Sequence, residues 1–424
     1  MKLPVAHIVG QSRLIFGFFL VVSLLFVAVS AISFQKPELL GFEKVLTDFD
    51  AFHIAGTLAG RGDVANAYNT TLMLQAQAEI TGSPSFMPWT YPPPFTLFVD
   101  LLADLPIGIA FALFILATFG FYLSVLHRIS GVWLPGVMIL MMPIIVLNLR
   151  TGQNGFLMAG LIGAFLLAWQ DRKSVAGLPL GLMIIKPHLA VGAGLLALLG
   201  KRWDVVIIAA LVALLAAALA TFVYGFAVWG YFFGAVKEAS TFLANGSYPM
   251  FRMSSVYAAL LSLGLPSAWA MAGHVAGALV AVGLLVWVSL AKFEFRHRAA
   301  LICALSVFIS PYNYDYDLAI LGIGLGFIAP DLAARASSWA LAGVFVLAWL
   351  TGGIGVFVQV SNAVNASELD GVAKAVEPAL ICPLLIALYL AILLIMRSPI
   401  RGLAKQTIMT NCMTKSPGLT QEFS

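Results

Sequence analysis

The chain has 424 residues, of which 61% are hydrophobic and only 10% are charged. Soluble domains carry roughly 25% charged residues, so this composition excludes an ordinary water-soluble protein. The formal net charge of +4 says little by itself, and we expect no nucleic-acid partner.

Apolar segments long enough to cross a bilayer recur along the chain. The first, Leu14 to Phe34, follows Lys2 and Arg13 and exceeds the roughly 7–15 apolar residues of a signal peptide. It therefore predicts a first transmembrane helix, and a cleaved signal peptide is the alternative. Further spans are predicted at 106–126, 132–148, 154–170, 204–224, 268–291, 298–312, 317–330, 338–358 and 378–396.

Residues 175–200 lie between two basic stretches, which the positive-inside rule assigns to the cytoplasm. This segment is too short to cross the membrane twice at full thickness. We therefore predict two half-length helices that meet near Lys186, Pro187 and His188. Irregular backbone at membrane depth is tolerated only inside protein or beside a wet cavity, so this turn is a candidate pocket.

The resulting all-α, polytopic membrane protein has about 12 transmembrane helices and both termini in the cytoplasm. This topology puts 15 of the 23 Lys and Arg residues on the cytoplasmic side and makes 35–105 the first external loop. Residues 1–400 form one membrane domain, and 401–424 are a short tail that we expect to be disordered. No G-x-x-x-x-G-K-[ST] sequence occurs, which disfavours an ATP-driven pump.

Asp48 and Asp50 follow the first span and allow three interpretations. The residues after Asp50 have helical spacing, which predicts an amphipathic helix in the first external loop. Asp48 would cap that helix, and the capping role is compatible with a catalytic one. A metal ion shared by both carboxylates is the third interpretation, which helical geometry disfavours because side chains at i and i+2 diverge.

Other ionisable residues also fall at the external boundary of predicted spans, where charge is costly and suggests function. Lys186 and His188 suit an anion, because one carries a compact positive charge and the other an ionisable donor. The other members of this set are Asp100, Asp104, Arg150, Arg252, Asp315 and Asp317.

Several short motifs occur in one order along about residues 10–400. They are GRGDVANAY, YPPPF, GQNGFLMAGLIGAFLLAW, AGLPLGLMIIKPHLA and SPYNYDYDL. Together with DF at Asp48 and Phe49, this set resembles glycosyltransferase family 87 of bacteria. That family belongs to the membrane-embedded GT-C class and includes polyprenol-phosphate-mannose-dependent mannosyltransferases.

The resemblance implies a multi-pass enzyme of the bacterial inner (plasma) membrane with a GT-C-like fold and an external active site. It implies a hexosyltransferase that moves a sugar, mannose first among candidates, from a polyprenyl-phosphate donor to a glycolipid or glycan acceptor with inversion. Asp48 occupies the position of the family's general base, and Asp50 would support it. We expect no metal and no other cofactor.

The leaving phosphate needs positive groups, for which Lys186, His188, Arg150 and Arg252 are the candidates. We expect the substrate pocket to include Tyr91, Gln153, Asn154, Asp315 and Asp317. Many relatives carry histidine near the end of the last motif, where this chain has Asp317. The alternative function is a transporter or flippase for a lipid-linked sugar, which does not require a long external loop bearing carboxylates.

Overall fold

The computed structural model describes residues 11–41, 43–81, 85–365 and 377–400. Within these ranges the chain is helical, without a β-strand, and only Met253 and Tyr314 form an isolated β-bridge. The predicted all-α architecture is confirmed. The tail 401–424, which we expected to be disordered, lies outside the described residues.

Up to Gln170, the described residues form nine α-helices, several of them short. They are α1 (Arg13–Gln35), α2 (Asp48–Gly60), α3 (Val64–Tyr68), α4 (Thr70–Thr81), α5 (Pro93–Ala103), α6 (Ile107–Ser130), α7 (Leu134–Leu140), α8 (Met142–Thr151) and α9 (Gly155–Gln170). The first predicted span matches α1, which begins where the Ser12 side chain accepts a hydrogen bond from the amide of Ile15. The predicted span 132–148 is broken at Met141, just before Pro143, which lacks the amide that a continuous helix needs.

From Gly177 to the end of the described ranges, ten more α-helices follow. They are α10 (Gly177–Leu182), α11 (Val191–Leu199), α12 (Trp203–Tyr224), α13 (Ala227–Ala244), α14 (Val256–Ser262), α15 (Ser267–Leu290), α16 (Phe295–Ser306), α17 (Ala319–Arg335), α18 (Ser338–Asn365) and α19 (Ile381–Arg397). The predicted span 298–312 corresponds to α16, which ends at Ser306, so the motif from Ser310 onward is loop and turn. The predicted span 317–330 continues through Pro330 to Arg335.

Six helical segments of the described residues are long and apolar enough to cross a membrane. They are Arg13–Gln35, Ile107–Leu140, Trp203–Tyr224, Ser267–Leu290, Asp315–Arg335 and Ser338–Asn362. Shorter apolar helices accompany them, namely Pro93–Ala103, Met142–Thr151, Gly155–Gln170, Ser174–Ile185, Pro187–Leu199 and Ile381–Arg397. The structure is therefore that of a polytopic membrane protein.

The segment 174–199 consists of two half-length helical pieces, as its length predicted. One piece ends in a 3-10 turn at Met183–Ile185, and the other begins with a 3-10 turn at Pro187–Ala190. Between them Lys186 has φ −143° and ψ 73°, outside the helical region. Proline disfavours a helical conformation in the residue before it, which explains why the break falls at Lys186.

Helix α2 packs along α5, where the α-carbon of Gly56 lies against the backbone of Val99. Phe49 and Phe52 are buried in an aromatic cluster with Phe95 and Phe114. The apolar side of α2 is thus covered by protein, whereas its spacing alone suggested a helix on the membrane surface. Packing on this side fixes the position of the first turn of α2.

Helices α9 and α17 run through the buried interior. Gly163 allows α9 to approach Val125 of α6 and Ile323 of α17 closely. Both helices begin at polar turns, at 152–154 and at 315–318, and these turns lie side by side because Gly155 contacts the carbonyl of Tyr316. The functional cluster described next forms at this end.

Candidate functional site

The first turn of α2 is held by a capping box. The amide and hydroxyl of Thr47 donate to Asp50 Oδ2 at 2.8 and 3.3 Å. Lys44 Nζ lies 2.6 Å from Asp50 Oδ1 and also donates to the carbonyl of Phe34 at 3.0 Å. Burial raises the pKa of Asp50 above its ordinary value, and the Lys44 ammonium opposes that rise. Asp50 is therefore occupied by structural contacts.

Asp48 has a different environment. Its side chain is 19% exposed, against 2% for Asp50, and its Oδ2 lies 3.7 Å from a terminal nitrogen of Arg252. Within the described residues its carboxylate accepts no hydrogen bond at normal distance. A reachable carboxylate with free lone pairs can accept a proton from a bound molecule.

The aspartates of the SPYNYDYDL motif lie in a 3-10 turn at Asp315–Leu318, directly before α17. Asp315 accepts two hydrogen bonds from Arg252, from Nε at 3.1 Å and from a terminal nitrogen at 3.2 Å. Asp317 accepts from Lys186 Nζ at 2.7 Å. The amide of Tyr314 also donates to Asp317 at 3.4 Å. Each aspartate of this short turn therefore pairs with one cation, Asp315 with Arg252 and Asp317 with Lys186.

Arg252 is brought to this turn by backbone pairing. The amide of Ser254 donates to the carbonyl of Asn313 at 2.8 Å, beside the bridge between Met253 and Tyr314. Burial works to lower the pKa of the Arg252 guanidinium, but the carboxylates of Asp315 and Asp48 raise it above its ordinary value. Arg252 thus stays charged between two carboxylates.

Aromatic rings surround both cations. Lys186 Nζ lies 4.5 Å from the ring centre of Tyr316 and 5.7 Å from that of Tyr91. Arg252 lies 5.8 Å from the rings of Tyr314 and Tyr316, which stack in parallel at 5.4 Å. Tyr316 is therefore shared by the two cations and fixes their relative positions.

The GQNG loop at 152–155 packs between α2 and the turn at 315–318. Gly152 has φ +68° and touches Phe49, and a Cβ at Gly155 would collide with the carbonyl of Tyr316. The Tyr91 hydroxyl donates to Gln153 Oε1 at 3.2 Å. Asn154 is fully buried, and both polar atoms of its amide lack a hydrogen-bond partner in the described part of the chain.

Two of the residues singled out in the sequence stand apart from these contacts. His188 is half-buried two residues after Lys186, and its buried Nε2 has no hydrogen-bond partner among the described residues. Arg150 is exposed near the C-terminus of α8, and none of the described residues forms an ion pair with it. The structure thus joins Asp48, Arg252, Asp315, Asp317 and Lys186 and leaves Arg150 at the surface.

Several residues of the cluster were not predicted from the sequence. Lys44 compensates Asp50, and its position six residues before that aspartate was the available signal. Asn148 donates to the carbonyl of Tyr316 at 3.1 Å, which nothing in the sequence around it indicates. Tyr314 and Tyr316 alternate with the aspartates, a pattern that places aromatic rings beside the charges.

The cluster can therefore accept a proton at Asp48 and stabilise negative charge near Arg252 and Lys186. Asp48 and Asp50 contact different partners and do not share a ligand position. No group of three His, Cys, Asp or Glu side chains suited to a metal ion occurs among residues that the structure describes.

Comparison with known proteins yields one family. The sequence profile of glycosyltransferase family 87 matches residues 89–311, which is just over half of the chain. No curated protein and no solved structure matches. The matched region contains Tyr91, the GQNG loop, Lys186 and Arg252, whereas Asp48 and the Asp315–Asp317 turn lie outside it.

Proposed function

Since the chain belongs to glycosyltransferase family 87, we propose that it transfers a sugar from a polyprenyl-phosphate donor to a hydroxyl of a glycolipid or glycan acceptor. Mannose is the first candidate for the sugar, and the reaction takes place on the external face of a bacterial inner membrane. The observation that carries this proposal is the partly exposed carboxylate of Asp48, which accepts no hydrogen bond within the described residues and lies near the cations Arg252 and Lys186.

In the proposed step, the acceptor oxygen attacks the anomeric carbon of the donor sugar. Its proton moves to a carboxylate oxygen of Asp48, and the bond between the anomeric carbon and the phosphate oxygen breaks. The electron pair of that bond leaves with the polyprenyl phosphate. One displacement from the face opposite the phosphate inverts the anomeric configuration.

The leaving phosphate gains negative charge as the bond breaks, and nearby cations stabilise it. Arg252 supports this role because its guanidinium is fixed by Asp315 and lies beside the base. Lys186 supports it through its ammonium, and His188 adjoins the same turn. Arg150 would contact the phosphate only from the edge of the site that faces solvent or lipid, because its side chain is exposed. Neither a metal ion nor a cofactor is part of this scheme.

The enclosed aromatic rings suit a sugar substrate. Tyr91 and Tyr316 present faces beside the cations, and Gln153 and Asn154 supply amide groups next to them. The buried amide of Asn154 lacks a hydrogen-bond partner within the described residues, which is costly, and in this proposal a sugar hydroxyl supplies the missing partner when the donor binds. The two aspartates of the 315–318 turn hold the cations in place.

The test is transfer by the purified protein in lipid vesicles. Polyprenyl-phosphate mannose, glucose and arabinose are supplied in turn as donors, and both glycolipid product and released sugar are measured. We expect transfer or slow hydrolysis with one donor and none from a parallel sample of the Asp48→Asn variant. If no donor is consumed and the lipid-linked sugar instead crosses the vesicle bilayer, the protein is a transporter and the proposal is wrong.

A further inference from the structure

A second polar site lies at the opposite end of α9 from Asp48. It is a cleft of about 690 Å³ whose walls include Trp169, Arg172, Arg202, Asp204 and Phe295. Helix α9 has 16 residues, so it spans about 24 Å between the two sites at 1.5 Å per residue. The cleft is therefore at the other membrane boundary, on the side that the charge distribution assigns to the cytoplasm.

The backbone at this cleft has an unusual conformation. Arg172 has φ 56° and Lys201 has φ 51°, and they are the only non-glycine residues of the described chain with positive φ. They follow the ends of α9 and α11, which close with the same backbone pattern. The backbone amide of Lys173 donates to the carbonyl of Ala168 at 2.9 Å, and the backbone amide of Arg202 donates to the carbonyl of Ala197 at 3.1 Å.

This pattern is the Schellman motif, in which the left-handed position usually belongs to glycine. A cation that served only to stabilise the end of its helix could stand elsewhere in the last turn, without the unfavourable backbone. The chain even has a glycine at position 200, one residue before the position where it would relieve strain. Basic side chains thus occupy both left-handed positions despite their backbone cost.

The neighbouring groups hold the Arg202 side chain in place at the cleft. Arg202 donates to both oxygens of Asp204 at 2.9 and 2.7 Å and to the carbonyl of Arg172 at 3.1 Å. Its guanidinium also lies 5.4 Å from the ring centre of Trp169. In contrast, Arg172 and Lys201 are exposed, and neither forms an ion pair within the described ranges. Arg172 therefore lines a partly aromatic cleft as an uncompensated cation, and Lys201 stands between two residues of the cleft wall, Gly200 and Arg202.

We propose that this cleft binds the phosphate headgroup of an anionic membrane lipid. Arg172 and Lys201 contact the phosphate oxygens, and the rings of Trp169 and Phe295 lie beside the glycerol and the start of the acyl chains. Aromatic side chains favour this boundary of the bilayer, and basic residues next to it attract anionic lipids. The site is separate from the Asp48 cluster and does not depend on the function proposed for it.

The test uses the full-length protein and the paired substitution Arg172→Gly with Lys201→Gly. Glycine is the preferred residue at both backbone positions, so thermal stability should be unchanged or higher. Binding of phosphatidylglycerol, measured by titration in detergent and by native mass spectrometry, should weaken by roughly 30-fold for two lost charges. Unchanged binding in this stable variant overturns the proposal.

Two further variants control for charge. The exchange Arg172→Lys with Lys201→Arg keeps both charges and should retain binding within about threefold. Arg61→Gln with Lys237→Gln removes two exposed cations elsewhere and should also retain it. If this second control loses as much binding as the glycine pair, net charge alone explains the effect and the cleft is not the site.

The source of the phosphate is tested by competition with a water-soluble ligand. Glycerol phosphate at millimolar concentration should leave the bound phosphatidylglycerol in place, because it lacks acyl chains beside Trp169 and Phe295. If glycerol phosphate displaces the lipid at this concentration, the cleft recognises a soluble phosphate and the lipid assignment is wrong.

Discussion

Asp48 and Asp50 stand in the same turn of α2, yet their carboxylates have different partners. Asp48 lies 3.7 Å from Arg252, and Asp50 lies 2.6 Å from Lys44 while it caps the helix. The Asp48 carboxylate is therefore partly exposed and can contact a bound molecule, whereas the Asp50 carboxylate stabilises the first turn of α2.

We first predict that Asp48→Asn will nearly abolish transfer. An amide has the same shape but cannot take up the acceptor proton, and general-base catalysis typically contributes about 10²–10⁴ in rate. Initial transfer rates and donor affinity should be measured on the same preparation. Donor affinity should stay within a few-fold, because the substitution leaves both cations in place.

The matched variant is Asp50→Asn, which keeps an oxygen to accept from Thr47 but leaves Lys44 without its ionic partner. Its main effect should be a lower melting temperature with a smaller loss of rate. A larger loss of rate in this variant than in Asp48→Asn would make Asp50 the base. Loss of activity with a chelator and recovery with manganese would instead support a shared metal ion.

Lys186→Ala should destabilise the protein, because it leaves the buried carboxylate of Asp317 without its partner. Breaking one side of a buried pair typically costs about 3–5 kcal/mol, so little folded protein is expected. Lys186→Ala combined with Asp317→Asn removes both charges and should recover most of the lost stability in thermal unfolding.

The double variant also isolates the role of Lys186 in binding. If its ammonium contacts the donor phosphate, donor affinity should remain at least about tenfold below wild type even when the fold is recovered, a loss typical of one charge-assisted hydrogen bond. Wild-type donor affinity in the double variant would show that the lysine only compensates Asp317.

Gly155→Ala should inactivate the protein. Its Cβ would collide with the carbonyl of Tyr316 and with Asn148 Oδ1, so the turn that holds both cations must move. Gly120→Ala is the control, since a Cβ there meets nothing within 4 Å and alanine is the better helix former. Transfer assays and melting temperatures distinguish them, and full activity in Gly155→Ala would contradict the packing of this turn.

The topology predicts opposite accessibility for two exposed positions. In a variant without cysteines at positions 303, 382 and 412, Gln75→Cys should react with an impermeant thiol reagent added outside the cell. Lys292→Cys, between α15 and α16, should react only after the membrane is made permeable. Equal labelling of both from outside would contradict the orientation derived from the basic residues.

Much of the fold could be predicted from the sequence, because membrane spans depend on local apolar content. The first helix, the break at Lys186 and the helix that begins at Asp48 all follow from residues close in the chain. The burial of the apolar side of α2 could not be predicted in this way, because helical spacing does not show whether protein or lipid covers that side.

Several charged residues of the cluster could be predicted from the sequence, but its pairings and its uncharged members could not. Arg252 and Asp315 are 63 residues apart, and no local pattern assigns one to the other. The ion pair of Lys44 was not predicted, because it compensates a buried Asp50 and the burial of Asp50 depends on tertiary packing. Arg150 was selected for its charge near a membrane boundary, but its outward orientation depends on how α8 packs.

The separation of Lys186 from Asp317 has a consequence for biosynthesis. The two residues are 131 positions apart, which corresponds to about 7 to 26 s of translation at roughly 5–20 residues per second. During that interval the lysine lacks the carboxylate that neutralises it in the finished fold, and an unpaired charge near a membrane segment is costly. We therefore expect the cluster to be completed only after the Asp315–Leu318 turn has been synthesised.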